Sequence, residues 1–190
     1  PLLGLGLSEG LGFTGGAQRL MTMNYDDYVQ TKLSSVPPTG IPHGAYMPDH
    51  GLFPHQSALV SWACKRGRAA IFADTGLGKS RMQLAWAEAV RLHTGRPVLI
   101  LAPLAVAPQT VAEGAEIGVS VLHCRDGSDY DPSECARICI TNYDRLHRFD
   151  CSIFGAVVLD ESSCIKHHDA KTLRTLLDAF RLTPFKLCAT

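Results

Sequence analysis

The sequence predicts an α/β domain of three layers with a mostly parallel sheet, on three observations. Residues 69–73 are a short apolar run followed at once by Gly76, Gly78, Lys79 and Ser80. Residues 98–102 are a continuous apolar run closed by Pro103. A third run, 156–159, delivers Asp160 and Glu161 at its carboxyl end, where open α/β sheets place their ligands. Helical periodicity separates these runs, giving the alternation from which parallel sheets are built.

The 190 residues suffice for one such domain, and 46% apolar content supports a real core. Eighteen basic residues balance eighteen acidic ones, so no overall field draws the chain to nucleic acid, and such binding needs a local patch. The seven cysteines, at 64, 124, 135, 139, 151, 164 and 188, form no C-x-x-C pair. That usage suits reduced thiols and a cytoplasmic setting better than a disulfide framework. No apolar run approaches the ~18 residues of a membrane helix, and the N-terminus lacks a secretory signal's basic-then-apolar order, so no membrane partner is expected.

In chain order, residues 1–22 are a leader of low complexity, rich in Leu and Gly, expected to be disordered; starting at Pro1 and not Met, it reads as belonging to a fragment or as non-native. Within 23–50, Met23, Tyr25, Tyr28, Val29 and Leu33 recur at helical spacing until Pro37 and Pro38 stop the pattern, and a Pro/Gly-rich linker follows. The main domain spans 51–190. It opens on a helix with Leu59, Trp62 and Ala63 as its inward stripe, then reaches the strand at 69–73.

Met82, Ala85, Trp86, Ala89, Val90 and His93 make one helical face that Gly95 and Pro97 terminate. The strand at 98–102 is central, and 106–117 can form the crossover helix after it. Strands at 119–123 and 138–141 are separated by a polar loop and a turn of helix begun by Pro132. After the strand at 156–159, Leu173, Leu176, Leu177 and Phe180 mark a helix, and 185–189 form the last strand, ending at Thr190.

Gly76 and Gly78 let backbone approach an anion closely, so the N–H groups of Thr75, Gly76, Leu77, Gly78 and Lys79 can cradle a polyphosphate at a helix start. Lys79 would reach the β/γ-phosphates and the Ser80 hydroxyl would ligate Mg²⁺. Ala73 stands where the G-x-x-x-x-G-K-[ST] pattern begins with Gly. The plain alternative is a glycine turn that binds nothing. Asp160 can hold Mg²⁺ while Glu161 orients and deprotonates an attacking water, a division of labour that suits a nucleoside triphosphatase using ATP and Mg²⁺. The plain alternative there is a surface acidic pair at a strand end.

The order of these motifs resembles the first RecA-like lobe of superfamily 2 helicases, in particular the Swi/Snf-type DNA translocases and related phage and prophage helicases. The resemblance runs from about Tyr25 to Thr190. Phe53-Pro54-His55-Gln56 is similar to the upstream glutamine motif, which implies that Gln56 reads the adenine edge. Residues 73–80 resemble motif I. Leu101-Ala102-Pro103, with Gln109 and Glu113, is similar to motif Ia, and Ile140-Thr141-Asn142 to the Ib region, implying that Pro103, Thr141 and Asn142 lie near nucleic acid. Asp160-Glu161-Ser162-Ser163 is the counterpart of the DEAD/DEAH box, and Cys188-Ala189-Thr190 resembles the start of motif III, which couples nucleotide state to strand binding. Thr110 stands where a tryptophan often follows the motif Ia glutamine.

The resemblance implies a DNA-dependent ATPase lobe of a helicase or translocase, with double-stranded DNA as partner. It also implies a second RecA-like lobe, normally in the same longer chain, so the isolated chain should hydrolyse ATP weakly. Two rivals are a nucleotide-gated nucleic-acid-binding module without useful turnover and a P-loop ATPase of AAA+ type; the strand spacing and Ala102-Pro103 disfavour the latter. Elsewhere plainer readings are preferred. Cys164, His167 and His168 fit a solvated turn better than a zinc site. Trp62 and Trp86 fit the core, and Lys65, Arg66 and Arg68 a solvated helix end.

Overall fold

The computed structural model describes residue 27 and residues 37–42, 50–131, 137–163 and 170–190. The chain divides into two compact units, Pro1–Pro37 and Pro38–Thr190. The leader and most of the predicted first helix lie outside the described residues, though Asp27 is helical. Cys164, His167, His168 and the turn begun by Pro132 also lie outside them.

In the second unit the elements run α1 (Pro54–Arg66), β1 (Arg68–Ile71), α2 (Lys79–Thr94), β2 (Val98–Ala102), α3 (Ala107–Glu116), β3 (Val121–His123), β4 (Ile138–Asn142), β5 (Ala156–Leu159), α4 (Ala170–Ala179) and β6 (Phe185–Ala189). The six strands form one sheet in the order β1-β6-β5-β2-β4-β3. Every neighbouring pair is parallel, with Val98 opposite both Ile138 and Ala156.

Strand alternation divides the interior in two. Val98, Ile100, Ile138, Ile140, Val158 and Leu187 face a core with Val60, Met82, Leu84, Trp86 and Val90 from α1 and α2. Leu99, Leu101, Cys139 and Val157 face the other core, closed by Tyr143, Phe149, Phe154, Leu176 and Phe180. β2 is buried throughout because it carries helices on both faces, as its unbroken apolar run predicts. The three-layer α/β architecture follows directly.

Several local expectations need correction. β1 ends at Ile71 and, among the described residues, is an edge strand bonded only to β6, so it is half exposed and Phe72 lies 79% open. On α1 the inward residues are Gln56, Val60, Ala63 and Cys64, while Leu59 and Trp62 face outward, so the core reading of Trp62 fails. The preceding segment caps the helix at its carboxyl end, with the Ile41 N–H donating to Cys64 O at 2.8 Å. On α4, Leu176 and Phe180 are buried but Leu173 and Leu177 are exposed. Trp86 is fully buried, as expected of a core residue. Lys65 and Arg66 occupy the last turn of α1, where cations complement the helix dipole.

Candidate functional site

The loop from β1 to α2 passes through two glycines in the left-handed region, Gly76 at φ 86° and Gly78 at φ 76°. Nothing lies within 4 Å of a Cβ built on Gly76, leaving the loop's inner face open. At Gly78 a Cβ would stand 2.2 Å from Gln56 Nε2, so φ favours glycine and any side chain there must displace the Gln56 amide. Lys79 and Ser80 then open α2, whose N-cap residue, Gly78, offers no side-chain cap.

Asp160 and Glu161 follow β5, two strands away from β1. The Lys79 ammonium donates to Glu161 Oε1 at 2.8 Å, joining the two landmarks across the carboxyl edge of the sheet. Among the described residues Glu161 is the one non-glycine with positive φ, at 47°. Such backbone strain gathers at functional sites, where surrounding contacts over-determine it. A cleft of about 560 Å³ is lined by Thr75, Gly76, Gly78, Lys79, Ser80, Asp160 and Glu161, and takes in Arg81, Gln109, Glu113 and Glu116 from α2 and α3.

Asp160 is 7% exposed, and burial pushes its carboxyl above the ordinary aspartate range. The hydrogen bond from Gln83 and the Glu161 backbone oppose that rise, as does the Lys79 charge, while the Glu161 charge adds to it. Because the folded chain disfavours the ionised form, stability present at acid pH is lost as pH rises through the raised value. Asp160→Asn should therefore melt higher than wild type at neutral pH without Mg²⁺. The gap should close as pH falls toward the ordinary aspartate value of ~3.9, which thermal denaturation across pH would check.

The donor set suits a hard cation. Ser80 and Asp160 offer oxygen ligands in one cleft, and among the described residues no group of three or more His, Cys, Asp or Glu encloses a metal. Mg²⁺ accepts such sparse protein ligation, completing its shell with water and phosphate oxygens.

The other sequence-derived candidates are placed unevenly. Gln56 is 4% exposed and spends its amide within the chain: Oε1 accepts the Phe53 N–H at 3.0 Å and Nε2 donates to Leu77 O at 2.9 Å. In this arrangement it ties the loop before α2 to the start of α1, and each amide atom keeps a second hydrogen-bonding position. Thr190 lies beside that loop, its carbonyl accepting the Ala73 N–H at 3.0 Å. Pro103 is half-buried just beyond β2. Thr141 is 1% exposed, so its hydroxyl meets no external strand in this fold, and neighbouring Asn142 is half-buried.

Three contributors escape the motif reading. Gln83 Nε2 donates to Asp160 Oδ1 at 2.6 Å, and the Tyr143 hydroxyl donates to Asp160 O at 2.7 Å. Arg81 pairs with Glu116 at 3.0 Å on the cleft lining. Only Gln83 left a signal in the sequence, as a polar residue inside the apolar stretch from Met82 to Trp86.

The site thus sits at the carboxyl edge of a parallel α/β sheet, with a glycine loop after one strand and an acidic pair after another. No protein-family model matches the sequence, and no curated protein matches it. Among solved structures the chain is similar to the UvsW helicase of bacteriophage T4, at 15% identity and TM-score 0.61, over 88% of this chain and 60% of that one. It is also similar to the Sulfolobus solfataricus SWI2/SNF2 ATPase core domain, at 19% identity and TM-score 0.61, over 81% of this chain and 35% of that one. The same core in complex with double-stranded DNA matches at 20% identity and TM-score 0.61, over 79% and 33%. The fold is therefore that of a RecA-like lobe of helicase and SWI2/SNF2 ATPase cores, and the chain spans 60% or less of each of these structures.

Proposed function

We propose that this chain is the ATP-binding motor lobe of a DNA-dependent ATPase of the helicase or translocase kind, working with Mg²⁺. The observation that carries the reading is the 2.8 Å Lys79–Glu161 pair, which puts the phosphate-loop cation and the acidic strand end within one side-chain contact.

Each residue then has a task. The backbone N–H groups of Gly76, Gly78 and Lys79 receive the phosphates. Those of Thr75 and Leu77 donate instead to Asp74 Oδ1 at 2.8 Å and Asp74 O at 3.2 Å, against the sequence expectation. Lys79 leaves Glu161 to meet the β/γ-phosphates. Released from that pair, Glu161 takes the proton of the attacking water. Ser80 and Asp160 would hold Mg²⁺, which would supply charge neutralisation to the phosphates. Double-stranded DNA as partner is supported by the fold's likeness to a core solved with such DNA. With no net charge on the chain, contact must come from local groups near the carboxyl edge. The reduced-thiol cysteine pattern supports a cytoplasmic setting.

A second RecA-like lobe completes the site by contributing an arginine finger, worth roughly 10³–10⁵ in rate in well-studied phosphoryl transfer. The isolated chain is accordingly expected to bind ATP yet turn it over near background, with or without double-stranded DNA. Steady-state phosphate release tests this. Rapid DNA-stimulated turnover by the isolated chain would show that the site is already complete.

A further inference from the structure

Gln83 does not line the cleft, yet it bonds a residue that does, Asp160, from within the core. It lies one helical turn after Lys79, is 2% exposed, and sits in a stretch of α2 whose other buried members are apolar. Its Nε2 donates to Asp160 Oδ1 at 2.6 Å. Asp160 is held at two further points: its N–H donates to Leu101 O at 2.8 Å, and its carbonyl accepts the Tyr143 hydroxyl at 2.7 Å. Backbone and side chain are thus fixed from β2, from the turn after β4 and from α2.

The chemistry of the donor matters. A lysine at this place would neutralise the carboxylate and compete with a cation for it, whereas an apolar side chain would leave Oδ1 buried without a partner. A carboxamide donates one neutral hydrogen bond, selects one carboxylate orientation, and leaves the negative charge and the other oxygen available. We propose that Gln83 is a positioning residue that holds the Asp160 carboxylate, through Oδ1, in the orientation that serves a divalent cation in the cleft. The inference rests on the nucleotide-site reading above and adds a residue to it.

The test is equilibrium binding of a fluorescent ATP analogue to the whole chain, first in EDTA and then across a Mg²⁺ titration, for wild type and Gln83→Met. Methionine keeps the volume and removes the donor. The expected result is an affinity in EDTA within about twofold of wild type, but a Mg²⁺ requirement raised about tenfold, the lower end of what losing such an outer partner does to metal affinity. In an Asp160→Asn background, Gln83→Met should add nothing to the Mg²⁺ requirement.

An unchanged Mg²⁺ requirement in folded Gln83→Met overturns the inference, as does a further shift in the Asp160→Asn background. If Gln83→Met does not fold, Gln83→Asn, which withdraws the donor by one methylene, decides the matter by the same titration. Wild type that binds the analogue at no Mg²⁺ concentration removes the nucleotide reading and this inference together. A Mg²⁺ response common to wild type and variant removes only the inference.

Discussion

Glu161→Gln is expected to leave nucleotide binding intact and, in the chain completed by a second lobe, to slow hydrolysis by about 10²–10⁴, the contribution of a positioned general base. The glutamine keeps the size of the side chain but cannot take a proton from water. The same change dissolves the ion pair with Lys79, which is held at 2.8 Å with the two side chains 20% and 43% exposed. A pair this open to solvent is worth at most about 1 kcal/mol, so nucleotide affinity should rise no more than fivefold or so. Single-turnover hydrolysis, read beside equilibrium binding, separates the two effects. A variant as fast as wild type would move the base to another residue.

Gly78→Ala should disable the cradle. At φ 76° a residue bearing a Cβ carries roughly 1–2 kcal/mol of backbone strain. The new methyl would also stand 2.2 Å from Gln56 Nε2, displacing the amide that holds Leu77 O. Losing that bond adds about 1 kcal/mol. The free loop relieves both by leaving its binding shape, so restoring that shape weakens nucleotide binding by up to about 10²-fold at ~1.4 kcal/mol per decade. Gly76→Ala meets no neighbouring atom and has only the backbone term, at φ 86°, so binding by Gly76→Ala should fall less. Comparing the two variants by titration separates steric displacement of Gln56 from strain alone.

How much of this was legible in the sequence depends on the range of the interactions involved. The strand at 98–102 could be read from its own residues, because a strand covered on both faces is apolar throughout, and β2 is buried at all five positions. The position of β1 at the sheet edge could not, because it depends on β5 and β6 entering between β1 and β2. The inward face of α1 is likewise not legible locally, because its polar Gln56 turns inward to Leu77 O of the loop before α2 while the apolar Leu59 and Trp62 stay exposed. Lys79, Ser80, Asp160 and Glu161 were legible because their chemistry is carried by contiguous motifs. Gln83 and Tyr143 act on Asp160 from separate elements, and only the folded sheet brings them to it.

The most direct test of the central claim is equilibrium binding of ATP by the wild-type chain and by Lys79→Ala in the presence of Mg²⁺. Removing the ammonium removes charge-assisted hydrogen bonds worth about 1.5–3 kcal/mol, so the phosphate-cradle account predicts binding weaker by about 10–100-fold with the fold retained. Equal affinity in wild type and Lys79→Ala would contradict it, because the loop after β1 would then not be where the phosphates sit.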